Sequence, residues 1–175
     1  MTGTYSLIGL PVGARMDHEV SRLARQLTES GRSVACAESC TGGWIAKSLT
    51  DVAGSSAWFG YGIVTYSNQA KVQLLKVRQS TLDRDGAVSE AVVREMADGV
   101  RALSGADYAI AVSGIAGPGG GTPEKPVGTV WCAWASADHS FAQMQRFGGD
   151  RNEVRERTVL WALEGLADKI GDGTF

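Results

Sequence analysis

The stretch SVACAESCTGGWIAKSLTDVAG, residues 33–54, decides how this chain folds. Its first seven residues, SVACAES, make a short apolar run of the kind that forms a buried strand. Beyond the Gly42-Gly43 pair the period changes, and Trp44, Ile45, Leu49 and Val52 recur at helical spacing until Gly54 stops them. A strand, a tight turn and a helix in succession begin a crossover unit, which favours parallel strands covered by helices.

Working outward, residues 1–15 lack periodicity, whereas Val20, Leu23 and Leu27 predict a first helix from Met16 to Gly31. The domain is therefore expected over residues 16–175, with 1–15 as an N-terminal extension. Downstream, WFGYGIVTY (58–66) is aromatic and β-branched and reads as a second strand, and SNQAKVQLLKV reads as a short helix capped by Ser67 or Asn68. Residues 80–86 look like one turn closed by Asp85-Gly86, after which Ser89 caps a helix through Val92, Val93, Met96, Val100 and Leu103, weakened by Gly99. Three strand signals follow at 107–116, 127–136 and 140–147, the last two joined by the short link ADHS and so antiparallel. A final helix opens at Asp150 and runs to about Gly171. The order predicts an α/β fold, a three-layer α/β/α sandwich whose mixed sheet has about five strands.

Composition narrows the function. A chain of 175 residues that is 43% hydrophobic can supply one core. Seventeen Lys and Arg against nineteen Asp and Glu give a net charge of −2, the wrong sign for wrapping duplex nucleic acid, so no direct nucleic-acid binding is expected. Cys36, Cys40 and Cys132 are odd in number and lack CxxC spacing, which indicates neither a disulfide framework nor a zinc site. His18 and His139 have no metal or Ser-His-Asp spacing. Without a basic leader or a run of about 18 apolar residues, a soluble cytoplasmic protein with no membrane partner is expected. Trp58, Trp131 and Trp134 are candidates for the self-association surface of a homo-oligomer.

Ser39 sits at the end of the first strand, where free N–H groups and the positive end of a helix dipole would stabilise an anion or an oxyanion. The competing role for Ser39 or Thr41 is capping that helix. Lys71 projects onto the apolar stripe of its helix with Leu74 and Leu75, although Val72 departs from that stripe. Partial burial there would lower its pKa and yield neutral amine able to act as a general base, the alternative being a stem that merely covers apolar surface. Tyr66, one turn before Lys71, is a candidate proton relay or substrate contact, or simply a packing residue. The loop SGIAGPGGGTPEKP (113–126) suits close approach of backbone to a ligand, or a flexible connector, and lacks the spacing of an ATP-binding P-loop. Arg146, Arg151 and Arg155 cluster near the start of the last helix, where they can bind a phosphate or remain solvated.

AESCTGGWIAKSLTDVAGSSAWF, GIVTYSNQAKVQLLKV, TLDRDGAVSE, SGIAGPGGGTPEKPVGTVW and GDRNEVRERT, in that order, resemble the CinA C-terminal-domain family over about Met16 to Ala167. The likeness is greatest to its stand-alone nicotinamide-nucleotide amidases. That resemblance implies hydrolysis of the carboxamide of nicotinamide mononucleotide to nicotinic acid mononucleotide and ammonia, with a small-molecule nucleotide as partner, no cofactor and no metal. It implies Ser39 as nucleophile and Tyr66 and Lys71 as catalytic partners, leaving the cap to Thr41. Thr41, Gly42 and Gly43 on one side, and Gly117, Gly119, Gly120, Gly121 and Thr122 on the other, are alternative holders of the oxyanion and of the phosphate, with Arg146 and Arg151 as further substrate contacts. CinA proper has a larger preceding domain of pyrophosphatase type, for which 175 residues leave no room, so that activity is expected to be missing. Two rival readings remain: a non-catalytic CinA-like binding module of the competence and DNA-damage response, and an amidase for another small carboxamide.

Overall fold

The computed structural model describes residues 9–175. In chain order these form α1 (Val12–Ser30), β1 (Val34–Glu38), α2 (Trp44–Thr50), a 3-10 turn (Ser55–Ala57), β2 (Phe59–Val64), α3 (Asn68–Leu75), α4 (Gln79–Asp85), α5 (Glu90–Ser104), β3 (Tyr108–Gly114), β4 (Thr129–Ala135), β5 (Ser140–Arg146) and α6 (Arg151–Gly171). The five strands lie in the order β2-β1-β3-β4-β5. Strand β1 is parallel to both β2 and β3, and β4 and β5 are antiparallel to their neighbours, so the sheet is mixed as expected. Helices cover both faces: α1, α2 and α6 on one, α5 with α3 and α4 on the other.

Strand alternation explains the layers. Val34, Cys36, Ile110, Val112, Cys132 and Trp134 enter the larger core under α1 and α6. The alternate residues Ala35, Ala37, Ala109, Ala111, Ala133 and Ala135 face Val92, Val93, Met96 and Val100 of α5. The buried centre of that second face is alanine, with Ile63 and Trp131 partly buried at its margins, so α5 can lie close to the sheet. Gly99 continues the same economy outward, because a Cβ at that position would run into the carbonyl oxygen of Leu75 at the end of α3. What weakens α5 as an isolated helix therefore lets α3 dock on it.

This order creates the site. From β1 the chain crosses to β2 through α2 on one face, and from β2 it returns to β3 through α3, α4 and α5 on the other. The carboxyl ends of β1 and β3 thus flank a topological switch point, the crevice where open α/β sheets bind ligands.

Several local expectations needed correction. Helix α1 starts at Val12 after Pro11, not at Met16, and Val12 packs against the core, so residues 12–15 belong to the first helix. Residues 1–8 of the expected extension lie outside the described residues. The segment read as one turn is the helix α4, whose polar sequence buries only Thr81 and Leu82 and so leaves no apolar period to detect. Strand β2 ends at Val64, which puts Tyr66 in the following loop. Trp58 and Trp134 are buried, and the Trp134 indole N–H donates to the Ala162 carbonyl, so neither offers a self-association surface. Three caps fall where expected: Ser67 accepts from Ala70 N–H, Ser89 from Val92 N–H, and Asp150 forms a capping box with Glu153. No helix among the described residues is long and apolar enough to cross a membrane.

Candidate active site

Strand alternation sends the two residues at the end of β1 to opposite faces. Glu38 points with Cys36 toward α2, while Ser39 points with Ala35 and Ala37 toward α3 and α5. Lys71, one turn into α3 on the side that carries Leu75, is 1% exposed and meets Ser39 there. Its Nζ donates to Ser39 Oγ at 3.0 Å and to the carbonyl oxygen of Thr65 at 2.8 Å. Burial is the main influence on the Lys71 ammonium and pulls its pKa below the ordinary lysine value of 10.5, a smaller charge effect from Cys40 opposing it. The neutral amine can keep one N–H on Thr65 and present its lone pair to the serine hydroxyl.

The pair opens on a cavity of about 230 Å³, walled also by Cys40, Asn68, Ser113 and Arg151. A larger depression of about 410 Å³ between α1 and α2 holds none of these groups. Cys40 is not a rival nucleophile, because burial first, with the Glu38 charge adding, pushes its thiol up to about 12. Beside the cavity, and sharing Ala116 and Arg151 with it, lies an open groove of about 540 Å³ reaching Pro118, Asn152 and Arg155.

Tyr66 stands at the rim, 61% exposed, its hydroxyl accepting from Arg151 Nη2 at 2.9 Å. Arg151 also donates through Nη1 to the carbonyl of Gly117 at 2.8 Å, so this one guanidinium ties the loop after β2 to the loop after β3. The rest of the glycine-rich loop turns away: Gly119, Gly120, Gly121 and Thr122 line neither cavity nor groove, and the Thr122 hydroxyl accepts from Lys125 N–H within its own turn. Arg146 is exposed at the end of β5 and lines neither.

The helix start differs from expectation. Thr41 does not cap α2. Its hydroxyl donates to Glu38 Oε2 at 2.5 Å, and the buried Glu38 carboxylate itself takes the N–H groups of Gly43, Ile45 and Ala46 at 2.9 to 3.1 Å. Glu38 thus occupies the anion position that a free helix N-terminus would offer a ligand. Gly42 N–H is also engaged, donating to Ser39 O at 3.2 Å. Among the described residues, no group of three or more His, Cys, Asp or Glu side chains is placed to hold a metal ion.

A family model described as the CinA C-terminal domain matches residues 17–170. The chain belongs to this CinA family. The nicotinamide-nucleotide amidohydrolase PncC of Escherichia coli strain K12 is 52% identical over 155 residues, covering 86% of this chain and 94% of the relative. The Pseudomonas putida protein of the same name is 51% identical over 146 residues, covering 83% and 91%. A CinA-like protein of Akkermansia muciniphila is 49% identical over 169 residues, which cover 96% of this chain but 40% of that longer protein. Among solved structures, the competence damage-inducible protein A of Klebsiella pneumoniae superposes with a TM-score of 0.87 at 43% identity, covering 89% of this chain and 97% of its own.

In this CinA-family chain the sequence missed Glu38 and the engagement of Arg155 with the turn after Ser39. A signal existed for the first: a carboxylate at the end of an otherwise apolar strand, six residues before α2 opens at Trp44, needs donors from the turn and helix start to satisfy it. Arg155 gave none, since its partners are main-chain oxygens of Cys40 and Thr41.

Proposed function

We propose that this chain hydrolyses the carboxamide of nicotinamide mononucleotide to nicotinic acid mononucleotide and ammonia through an acyl-enzyme on Ser39. The observation that carries the reading is the buried Lys71 amine, 3.0 Å from Ser39 Oγ and lowered in pKa by burial. Neutral Lys71 takes the Ser39 proton as Oγ adds to the amide carbon, and returns it to nitrogen as the C–N bond breaks and ammonia leaves. Water, deprotonated by the same amine, then adds to the ester carbon, releasing the carboxylate and restoring Ser39. The small cavity suits a flat pyridine carboxamide, and the adjoining groove with Arg151 suits the ribose phosphate. Tyr66, held by Arg151 at the rim, is a substrate contact in this reading rather than a direct proton relay to Ser39. Relatives sharing about half their residues with this chain carry the name nicotinamide-nucleotide amidohydrolase, which supports the same substrate.

The test is ammonia release by purified protein from nicotinamide mononucleotide, nicotinamide riboside, free nicotinamide and an unrelated carboxamide. Turnover is expected for the mononucleotide, falling at least about 10³-fold in Ser39→Ala with the melting temperature retained. Undiminished turnover by Ser39→Ala removes the nucleophile assignment. Turnover of the unrelated carboxamide alone would point to an amidase for another substrate, and silence of the wild type on all four compounds removes the amidase reading and leaves a binding module.

A further inference from the structure

The turn from Ser39 to Gly43 uses its N–H groups unevenly. Ser39 N–H donates to Val112 O at 3.1 Å, Gly42 N–H to Ser39 O at 3.2 Å, and Gly43 N–H to Glu38 Oε2 at 3.0 Å. Those of Cys40 and Thr41 meet no acceptor on another residue among the described residues. Meanwhile the carbonyls of these same two residues are gripped: Arg155 Nε donates to Cys40 O at 3.1 Å and Nη2 to Thr41 O at 2.9 Å. A trans peptide directs its C=O and the following N–H to opposite sides, so the guanidinium holding Cys40 O turns the Thr41 N–H away from α6. Glu38 fixes the turn independently, through the Thr41 hydroxyl and the start of α2.

We infer that the N–H groups of Cys40 and Thr41 form the oxyanion site for the tetrahedral intermediate on Ser39, and that Arg155 is the positioning residue that sets the direction of the Thr41 N–H. The inference rests on the Ser39 acyl-transfer reading. As Ser39 Oγ bonds to the amide carbon, the carbonyl π pair moves onto oxygen, and that O⁻ accepts from the two N–H groups; collapse restores C=O and breaks C–N. Arg155 is already committed to two main-chain oxygens and lies 5.5 Å from the centroid of the Trp44 ring. Its hydrogen bonds go to the turn after Ser39, whereas those of Arg151 go to Tyr66 and Gly117 at the mouth of the cavity, where the proposed function places the phosphate.

Arg155→Met and Arg155→Lys are to be compared with wild type in turnover of nicotinamide mononucleotide and in binding of pyridine-3-boronic acid. The boron of that probe bonds to Ser39 Oγ as the hydroxyl proton passes to Lys71, giving a tetrahedral boronate anion with one of its hydroxyls where the oxyanion forms. For Arg155→Met, kcat is expected to fall ~10²-fold, near the loss of one oxyanion donor, with KM nearly unchanged. Boronate affinity should fall in parallel, with Lys recovering part of both. In a crystal structure of the wild-type adduct, the boronate oxygen should lie within about 3.2 Å of both the Cys40 and Thr41 nitrogens. A boronate oxygen bound instead by the 117–121 loop overturns the inference, as does a raised KM with kcat and boronate affinity intact, which would make Arg155 a phosphate clamp. Either of those results leaves the amidase reading standing. A wild type that neither turns over nor forms the adduct defeats the Ser39 reading and this inference with it. Should Arg155→Met unfold, the wild-type adduct structure decides alone.

Discussion

Replacing Lys71 by Met separates what the amine does for chemistry from what it costs the fold. Methionine keeps an unbranched stem of similar length in a site only 1% exposed. The substitution removes the donor to Thr65 O, leaving a buried carbonyl short of a partner at about 1–3 kcal/mol, and it removes the amine that burial disfavours in its charged form. These oppose, so net stability at pH 7 should change by no more than about 2 kcal/mol. Turnover, by contrast, should fall ~10²–10⁴-fold with loss of the general base, about 3–5 kcal/mol on the barrier. The pH dependence fixes the sign. The folded-state pKa of Lys71 lies below the 10.5 of the unfolded chain, so between those two values the unfolded state binds more protons. Wild-type stability must therefore gain from Lys71 as pH rises through that window, and the variant must lack this gain. Urea unfolding of both proteins from pH 7 to 10.5, differenced so that shared groups cancel, measures it. The wild type should gain on the variant as pH rises, and kcat/KM of the wild type should climb with the neutral amine. A flat stability difference, together with an unshifted rising limb in the variant's residual activity, would refute a buried, easily neutralised Lys71.

Two further outcomes follow from contacts outside the pair. Arg151→Met should raise KM for nicotinamide mononucleotide ~10-fold or more by losing a guanidinium contact to phosphate, while turnover of free nicotinamide, if any, stays unchanged; steady-state kinetics on both substrates decide this. Gly99→Ala should cost about 3 kcal/mol or more by denaturant unfolding, because its Cβ meets the Leu75 main chain; a neutral result would show that α3 moves freely on α5.

The halves of the site were not equally legible in the sequence. Ser39 and Lys71 could be found because each breaks a local rule: a hydroxyl at a strand-to-helix junction, and a charge on an apolar helix stripe. The five-stranded mixed sheet followed from element order and connection lengths, since short links force antiparallel neighbours and helical crossovers permit parallel ones. Helix α4 stayed hidden because its residues are mostly solvent-facing and carry no period. Trp58 and Trp134 misled because aromatic side chains suit a core and an interface equally well, and only tertiary packing showed these two to be core. The glycine-rich loop looked like the ligand cradle, yet only its first residues reach the site, because Gly120 and Gly121 serve the loop's own turn against Ile115 and Val127.

The alanine face beneath α5 has a consequence for how this scaffold tolerates change. Lys71 reaches Ser39 from a helix that rests on α5, which in turn rests on that floor of methyl groups. The reach of the amine is thus a stacking height, set two layers away by side chains that never see a substrate. A single added methylene on the floor would lift the whole column and be felt as a lengthened gap between Lys71 and the Ser39 hydroxyl, which makes the least chemically interesting residues of the sheet its calibration shims.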